Sequence, residues 1–253
     1  MAESYQATFQ RIEIKYLLTE AQAYALRAGL ETIAAVDAYG RTSILNLYYD
    51  TPDDLLIRRS LEKPVYKEKL RLRTYGVPCD HTPAYVEIKK KYDGIVYKRR
   101  TGMSYDTAKA WLDGCDEERG NAVIRMSGNA QILGEINYFR HFYPSLRPRM
   151  AISYDRTALA GIQDPALRIT FDEHIRYRTT RLDLREGDSG RELLEPGQQL
   201  MEIKVAGAIP TELAHLFSTL RIVPCSYSKY GRGYVDMVER MGRARTVHPG
   251  RAA

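Results

Sequence analysis

The chain has 253 residues and a formal net charge of +6, with 44% hydrophobic and 28% charged residues. These values are typical of a globular protein, and the sequence contains neither an apolar run long enough to span a bilayer nor the pattern of a secretory leader. The three cysteines are scattered and lack metal-ligand spacing, which argues against a disulfide framework or a zinc site and predicts a reducing, cytoplasmic location.

The first predicted elements are a strand at Arg11–Leu17, where polar and apolar residues alternate, and a helix from Thr19 to about Ala35 that opens with a capping-box pattern. Ser43–Tyr49 is rich in β-forming residues and ends at a turn signal. A short helix is then expected over Asp53–Leu61. The segment up to Leu61 is therefore predicted to contain two strands and two helices in alternation.

Three basic strands follow. In Lys67–Arg73 the cations occupy alternate positions, so all of them share one face of a strand. Similar patterns recur at Tyr85–Lys91 and Val96–Arg100, with a hairpin turn expected at Lys91–Gly94. Like charges on one face repel each other unless an anion lies against them, so these strands predict a sheet curled around a polyanion. The alternative is the solvated outer face of a sheet that packs on helices.

The rest of the chain adds helices and further strands. The segment from Ser104 to about Asn137 is rich in Ala, Asp and Glu, and is predicted to be a helical insert outside the sheet. Further strands are expected at Arg149–Arg156, at 167–178 and at Leu200–Val205, and further helices at Pro210–Leu220 and Val235–Met241. No linker divides these elements. We therefore predict one domain over residues 1–241 and a basic, disordered tail over 242–253.

One tripeptide, Glu-Ile-Lys, occurs in three predicted strands and begins at Glu13, Glu87 and Glu202. In each copy the Glu and the Lys share a face while the Ile takes the other. Cross-strand ion pairing on a water-facing sheet would explain any single copy. Three copies beside basic strands also suit a site for metal-bound polyphosphate, because phosphates need cations and a divalent ion prefers oxygen ligands.

The succession of motifs resembles the polyphosphate-polymerase domain of the vacuolar transporter chaperone (VTC) complex and its bacterial relatives. These proteins belong to the triphosphate tunnel superfamily, which also contains CYTH-type phosphatases and cyclases. The motifs that carry the resemblance are Ile12–Tyr16, Leu47–Asp50, Leu70–Gly76, Val86–Lys89, Val96–Arg100, Ser153–Ala158, Leu167–Asp172, Met201–Lys204 and Tyr227–Tyr230. Each motif is weak alone, whereas the whole series in order is specific.

The resemblance implies an α+β fold, with helices outside an antiparallel eight-stranded β-barrel whose polar interior is a tunnel for phosphate chains. Together with the basic strands, it implies catalytic roles for Lys15, Arg71, Arg73, Lys89, Arg156 and Arg168. The implied substrate-binding residues are Lys67, Lys69, Lys98, Arg100, Tyr154, Lys204 and Lys229. Glu202 and Glu13 are the implied ligands of Mn²⁺ or Mg²⁺. Glu13 and Glu87 are expected mainly to pair with neighbouring cations.

Two positions depart from the family patterns. The CYTH phosphatases carry Glu-x-Glu-x-Lys on the first strand, and Arg11 replaces the first of those glutamates here. Ser226 stands where the eukaryotic VTC domain has a second lysine near Lys229. The loss of a carboxylate at Arg11 favours the VTC branch over a hydrolase of small triphosphates.

The resemblance therefore predicts a polyphosphate polymerase that uses ATP. The alternatives are a metal-dependent hydrolase of tripolyphosphate or polyphosphate, and a binding module without catalysis. ATP and inorganic polyphosphate are the expected partners; no specific nucleic acid is expected, because there is no recognition-helix pattern, and protein partners are unknown. If the cations of Lys67–Arg73 repel each other, truncating Arg71 or Arg73 should cost the fold little stability.

Overall fold

The computed structural model describes residues 12–93, 95–115, 117–126 and 130–247. Its strands are β1 (Ile12–Leu18), β2 (Ala34–Asp50), β3 (Tyr66–Tyr75), β4 (Pro83–Tyr92), β5 (Ile95–Ser104), β6 (Arg147–Gly161), β7 (Arg168–Arg178), β8 (Arg191–Glu192), β9 (Gln199–Val205) and β10 (Pro224–Cys225). Its helices are α1 (Glu20–Leu30), α2 (Leu55–Leu61), α3 (Tyr105–Leu112), α4 (Glu117–Met126), α5 (Ala130–Phe142), α6 (Thr211–Thr219) and α7 (Lys229–Val247), with a 3₁₀ turn at Leu184–Glu186. In the part of the chain covered by these ranges, no helix is both long and apolar enough to cross a membrane.

The strands form a large antiparallel sheet, which confirms the predicted α+β class. Neighbouring strands follow the order β10-β1-β9-β7-β6-β2-β3-β4-β5, and β8 pairs with β7. The sheet has ten strands, and within the described residues its order ends at β10 on one side and at β5 on the other. The predicted eight-stranded closed barrel is therefore not confirmed: the strand count differs, and no pairing between the described strands closes the sheet.

The described residues form two compact units, each with its own apolar core. The first unit contains the residues up to Thr42 together with Asp155–Ile175 and Leu194–Tyr227. Its core joins the apolar faces of β1, β7 and β9 to helices α1 and α6, and includes Leu18, Leu26, Phe171, Ile203 and Leu213. The predicted capping box opens α1, with the Thr19 side chain and the Gln22 side chain each bonded to the backbone of the other.

The second unit contains Ser43–Tyr154, Arg176–Leu193 and the residues from Ser228 onward. Its core packs the apolar faces of β3 and β4 against helices α3 to α5, and includes Leu72, Val86, Trp111, Ile136 and Phe139. This arrangement confirms that the segment after Ser104 is helical and covers one face of the sheet. Because successive strand residues point to opposite faces, the cations at odd-numbered positions of β3 and β4 lie on the face away from these helices, whereas Lys90 has the parity of the core residues Val86 and Ile88.

Some element boundaries differ from the prediction. Helix α1 ends at Leu30 and strand β2 begins at Ala34, whereas the sequence predicted a helix as far as Ala35. Helix α7 begins at Lys229 rather than Val235, because the Ser228 hydroxyl accepts a bond from the Gly231 amide and so caps the helix.

Helix α7 also continues to Val247, beyond the predicted helix end at Met241. The tail predicted over 242–253 stays a prediction. Residues 248–253 and Arg11 lie outside the described residues, as does Gly94 of the predicted hairpin turn. The single domain over residues 1–241 stays a prediction.

Candidate functional site

Strands β3, β4 and β5 share a face that is lined with cations. Arg71 lies opposite Glu87, which lies opposite Arg100, while Lys69 lies opposite Lys89. Residues directly opposite each other on paired strands point to the same side, so these side chains lie together. We call this surface the cationic face; it consists of Lys67, Lys69, Arg71, Arg73, Lys89, Lys91, Lys98 and Arg100. Among the described residues of the three strands, Glu87 is the only carboxylate on it.

Glu87 is the centre of the cationic face. Its side chain is 1% exposed, and its Oε2 lies 2.6 Å from Nη2 of Arg71 and 3.8 Å from Nε of Arg73. Its Oε1 lies 2.8 Å from Nζ of Lys98. Burial alone would raise the pKa of Glu87, but the positive charges of Arg71, Arg73 and Lys98 outweigh it and lower the pKa to about 2. One buried carboxylate thus neutralises part of a strongly positive surface.

The two arginines at this centre are held in place by neutral polar groups on other strands. Arg71 donates to the Tyr48 hydroxyl at 3.1 Å, and Arg73 donates from Nε to the side-chain oxygen Oδ1 of Asn46 at 2.9 Å. Arg73 also contacts the Tyr154 hydroxyl at 3.4 Å, which brings together two residues with predicted roles. Asn46 and Tyr48 were not predicted, although their positions two residues apart on one strand, like the arginines opposite them, were a usable signal.

The structure removes the reason for expecting that Arg71 could be truncated at little cost. Cations on this face do not simply repel each other, because Arg71 and Lys98 are bound to a buried carboxylate. Removing Arg71 would leave Glu87 buried with fewer partners, which is expensive for a charged group.

The first residues of α7 contact the same face. The Ser228 hydroxyl accepts a bond from Lys69 at 3.2 Å, and Lys229 Nζ lies 4.4 Å from the centre of the Tyr154 ring. The Tyr230 ring stacks on Tyr48 with centroids 4.5 Å apart. The sequence placed Lys229 among the substrate-binding residues, and the structure brings it to Tyr154 at the start of a helix.

The remaining predicted residues of the cationic face are less enclosed. Lys67 donates to the Ser60 carbonyl at 3.3 Å, and the Arg100 guanidinium lies 5.0 Å from the centre of the Tyr85 ring. Lys89 lies between Lys69 and Lys98 in the pairing register. The alternation in Val96–Arg100 also predicted that this strand would carry its cations on one face and apolar residues on the other, and that prediction is wrong.

On β5, Val96 shares the face of Lys98 and Arg100, because all three occupy even positions. Arg99 points to the opposite side, where its Nε lies 3.5 Å from Glu135. Both faces of this strand are therefore partly polar.

The predicted metal ligands lie in the first unit, in a group that we call the Glu202 cluster: Glu13, Lys15, Glu202 and Lys204. Lys15 lies opposite Glu202, and Glu13 opposite Lys204, on the paired strands β1 and β9. The Nζ of Lys15 is 3.1 Å from Glu13 and 3.6 Å from Glu202, and that of Lys204 is 3.0 Å from Glu202. Each cation in the cluster therefore has a carboxylate beside it.

These contacts set the charge states of the cluster. Burial opposes the charge of Glu202, yet Lys204 and Lys15 outweigh it and hold its pKa well below the usual range. Burial likewise opposes the charge of Lys15, but Glu202 and Glu13 leave its pKa raised. Glu202 and Lys15 are therefore ionised at neutral pH.

The predicted arginines of the first unit are paired in the same way. Arg156 binds the fully buried Asp172 through two bonds of 2.6 and 2.8 Å, and Arg168 binds Asp37 at 2.9 Å. Neither aspartate was predicted, although Asp172 has the same strand parity as Arg168. Arg156 and Arg168 each have a carboxylate of their own, whereas Arg71, Arg73 and Lys98 of the cationic face share Glu87.

A divalent ion would have few ligands from the protein alone. Over the ranges that the structure describes, no group of three or more His, Cys, Asp or Glu side chains could hold a metal ion. Glu13 and Glu202 both contact Lys15, so they offer two neighbouring carboxylates. Mg²⁺ is commonly bound by one or two carboxylates, with water and substrate phosphates completing its shell. The residues present fit a metal of that kind, shared with phosphate.

The profile of the VTC domain matches residues 10–238. No curated protein matches the chain significantly. Among solved structures, a candidate adenylate cyclase from Vibrio parahaemolyticus is similar at 13% identity and a TM-score of 0.49, over 90% of this chain and 98% of that one.

Two further structures are similar over most of the chain. A candidate adenylyl cyclase from Hippeastrum, described as having a dominant triphosphatase activity, is 14% identical with a TM-score of 0.46, over 87% of this chain and 93% of that one. The Mediator head module of Schizosaccharomyces pombe is 7% identical with a TM-score of 0.41, over 83% of this chain and 90% of the other. These TM-scores are too low to carry an argument about function.

Proposed function

Since the chain belongs to the VTC domain family, we propose that it is a polyphosphate polymerase that transfers the γ-phosphoryl group of ATP to a growing polyphosphate chain and releases ADP. The observation that carries this proposal is the cationic face, where lysines and arginines on three neighbouring strands surround a single carboxylate, Glu87. A surface with so large an excess of positive charge suits a ligand with many phosphates. The closed eight-stranded tunnel that the resemblance implies is part of the proposal.

The residues of the cationic face would work by position and charge. Phosphoryl transfer asks little covalent chemistry of a protein and depends on aligning the phosphates and neutralising their oxygens. Arg71 is oriented by Glu87 and Tyr48, and Arg73 by Asn46 and Tyr154. Their planar forks would exchange these partners for a phosphate, which two guanidinium nitrogens can bind together. The lysines are mobile point charges that can accommodate successive phosphates of a chain.

The Glu202 cluster would hold the divalent ion, Mn²⁺ or Mg²⁺. Glu202 and Glu13 are its proposed ligands, and when bound the ion would neutralise charge on the phosphate oxygens that it contacts. Lys15 and Lys204 now contact these carboxylates and would turn to phosphate oxygens when substrate arrives. Arg156 and Arg168 keep the catalytic roles proposed from the sequence, held by Asp172 and Asp37 in the absence of substrate.

A hydrolase of tripolyphosphate or polyphosphate is the second candidate, because the same cations would bind its substrate. Arg11 stands where the CYTH phosphatases have a glutamate, and this departure favours the polymerase. A module that only binds polyphosphate is the third. The cytoplasmic location proposed from the cysteines suits all three.

The product formed from ATP separates these functions. Purified protein is incubated with ATP and Mn²⁺, and the products are analysed by polyphosphate staining of gels and by quantifying ADP and orthophosphate. A polymerase yields stained chains and ADP, with little orthophosphate. Orthophosphate without chains would overturn the polymerase in favour of the hydrolase, and an absence of turnover would favour the binding module.

A further inference from the structure

A buried hydroxyl that has no hydrogen-bond partner in the described part of the chain faces the Glu202 cluster. Thr170 is 8% exposed, and its Oγ1 has no partner among the described residues. Buried polar groups in native proteins are nearly always bonded, so an orphaned hydroxyl requires an explanation, such as a ligand that is bound during function.

The strand register directs this hydroxyl toward the cluster. Thr170 lies directly opposite Glu202 on the paired strands β7 and β9, and Arg168 lies opposite Lys204. The neighbours of Thr170 on its own strand, Ile169 and Phe171, are fully buried in the apolar core. Because strand residues alternate between faces, Thr170 points away from that core and shares the face of Glu202.

The charged groups around Thr170 already form ion pairs with each other. The two oxygens of Glu202 contact the ammonium groups of Lys204 and Lys15, respectively. On the same strand face, Asp172 is bound by Arg156. A hydroxyl is both a donor and an acceptor, and a donor among cations is suited to an anionic oxygen.

We propose that Thr170 is a further substrate-binding residue, whose hydroxyl donates a hydrogen bond to an oxygen of a phosphate bound at the Glu202 cluster. This inference rests on the proposed function. The hydroxyl is closed off from solvent in the absence of ligand, so the phosphate reaches it when Lys15 and Lys204 leave Glu202 and turn to the phosphate. Exchange of these ion pairs and contact with Thr170 are then parts of one binding event.

A matched control exists elsewhere in the chain. Thr101 on β5 is 2% exposed, and its Oγ1 likewise has no partner among the described residues. Its position lies opposite Val86, on the strand face that packs in the core and away from Lys98 and Arg100. Thr101 is therefore a buried hydroxyl like that of Thr170, but it lies away from both the Glu202 cluster and the cationic face.

The test is titration calorimetry with tripolyphosphate at low salt, performed once with a chelator and once with Mg²⁺. Thr170→Val keeps the shape of the side chain and removes the hydroxyl. We expect it to weaken binding about tenfold or more, because the lost bond is to a charged group. The loss should appear in each condition in which the wild type binds, while Thr170→Ser and Thr101→Val retain the wild-type affinity.

Thermal melts without ligand complete the comparison. Both valine variants should melt at or above the wild-type temperature, since each removes an unsatisfied buried hydroxyl. If Thr170→Val does not fold, the affinity of Thr170→Ala for tripolyphosphate is measured in its place, because this variant also lacks the hydroxyl. Equal affinities for the valine variants of Thr170 and Thr101 would overturn the inference and leave the proposed function standing. A wild type that binds no tripolyphosphate in either condition would overturn both.

Discussion

Glu87 should stabilise the second unit at neutral pH, and this contribution should disappear in acid. Its pKa falls from an ordinary value of 4.5 to about 2 in the folded protein, because three cations surround it. A group whose pKa is depressed on folding stabilises above its unfolded pKa, and that stability is lost as the pH falls through its folded pKa. The window for Glu87 therefore runs from about pH 5 down to about pH 2.

The size of the stabilisation by Glu87 follows from the shift in its pKa. At 1.36 kcal/mol for each pKa unit, the shift of Glu87 corresponds to about 3 kcal/mol of unfolding free energy at pH 7. Less than half of this should remain at pH 3. Glu87→Gln keeps the size of the side chain, removes the charge and resembles the protonated glutamate. The variant should therefore be less stable than the wild type by about 3 kcal/mol at neutral pH and nearly equal to it at pH 2.

The assay is urea unfolding of both proteins at pH 7, 5, 3 and 2. Urea is preferable to guanidinium chloride, which is a salt and screens the interaction that is being measured. Other carboxylates also titrate in acid, but their contribution cancels in the difference between the two proteins. If the difference in unfolding free energy between the two proteins is constant over the whole pH range, or is below about 1 kcal/mol at pH 7, the three cations do not stabilise the ionised Glu87 as predicted.

Two further variants test the charges on the strands. Arg71→Ala should destabilise the protein by about 3 kcal/mol or more, because it leaves the buried Glu87 carboxylate without one of its cationic partners. In urea melts the double variant Arg71→Ala/Glu87→Ala should regain much of that stability. In calorimetry it should nevertheless bind tripolyphosphate as weakly as the single variant does. Full recovery of binding would exclude Arg71 from the substrate site. Glu202→Gln should abolish metal-dependent turnover of ATP while metal-free binding of tripolyphosphate stays intact or tightens, and Glu13→Gln should be milder. Wild-type turnover with an unchanged Mn²⁺ dependence in Glu202→Gln would show that its carboxylate does not hold the metal.

The alternation of Lys67–Arg73 was enough to predict one face of the sheet correctly. A pleated strand repeats every two residues whatever it pairs with, so the sharing of one face by Lys69 and Arg71 follows from the chain alone. The Glu-Ile-Lys copies similarly predicted that Glu13 and Glu87 pair with cations, and they do. Local patterns of this kind survive because tertiary contacts do not change the parity of a strand.

Partners from distant parts of the chain could not be predicted in the same way. Lys15 meets Glu202, and Arg168 meets Asp37, only because of strand order and register, which a single sequence does not specify. The orphaned hydroxyl of Thr170 is invisible in the sequence for the same reason. The predicted closure of the sheet came from resemblance and not from a pattern in the residues, and it is the part of the fold that is not confirmed.

Binding of phosphate chains by the cationic face can be tested by a thermal melt with tripolyphosphate. At a ligand concentration about 100 times the Kd, the melting temperature should rise by about 5–10 °C, and the rise should shrink with added NaCl. Lys69→Ala/Lys89→Ala, which removes two cations of the face, should lose most of the rise. Lys90→Ala/Arg99→Ala removes the same charge from the opposite face of β4 and β5 and should keep it. Binding of phosphate chains at the cationic face would be wrong if millimolar tripolyphosphate does not change the melting temperature of the wild type at low salt. It would also be wrong if both double variants lose the same part of the rise.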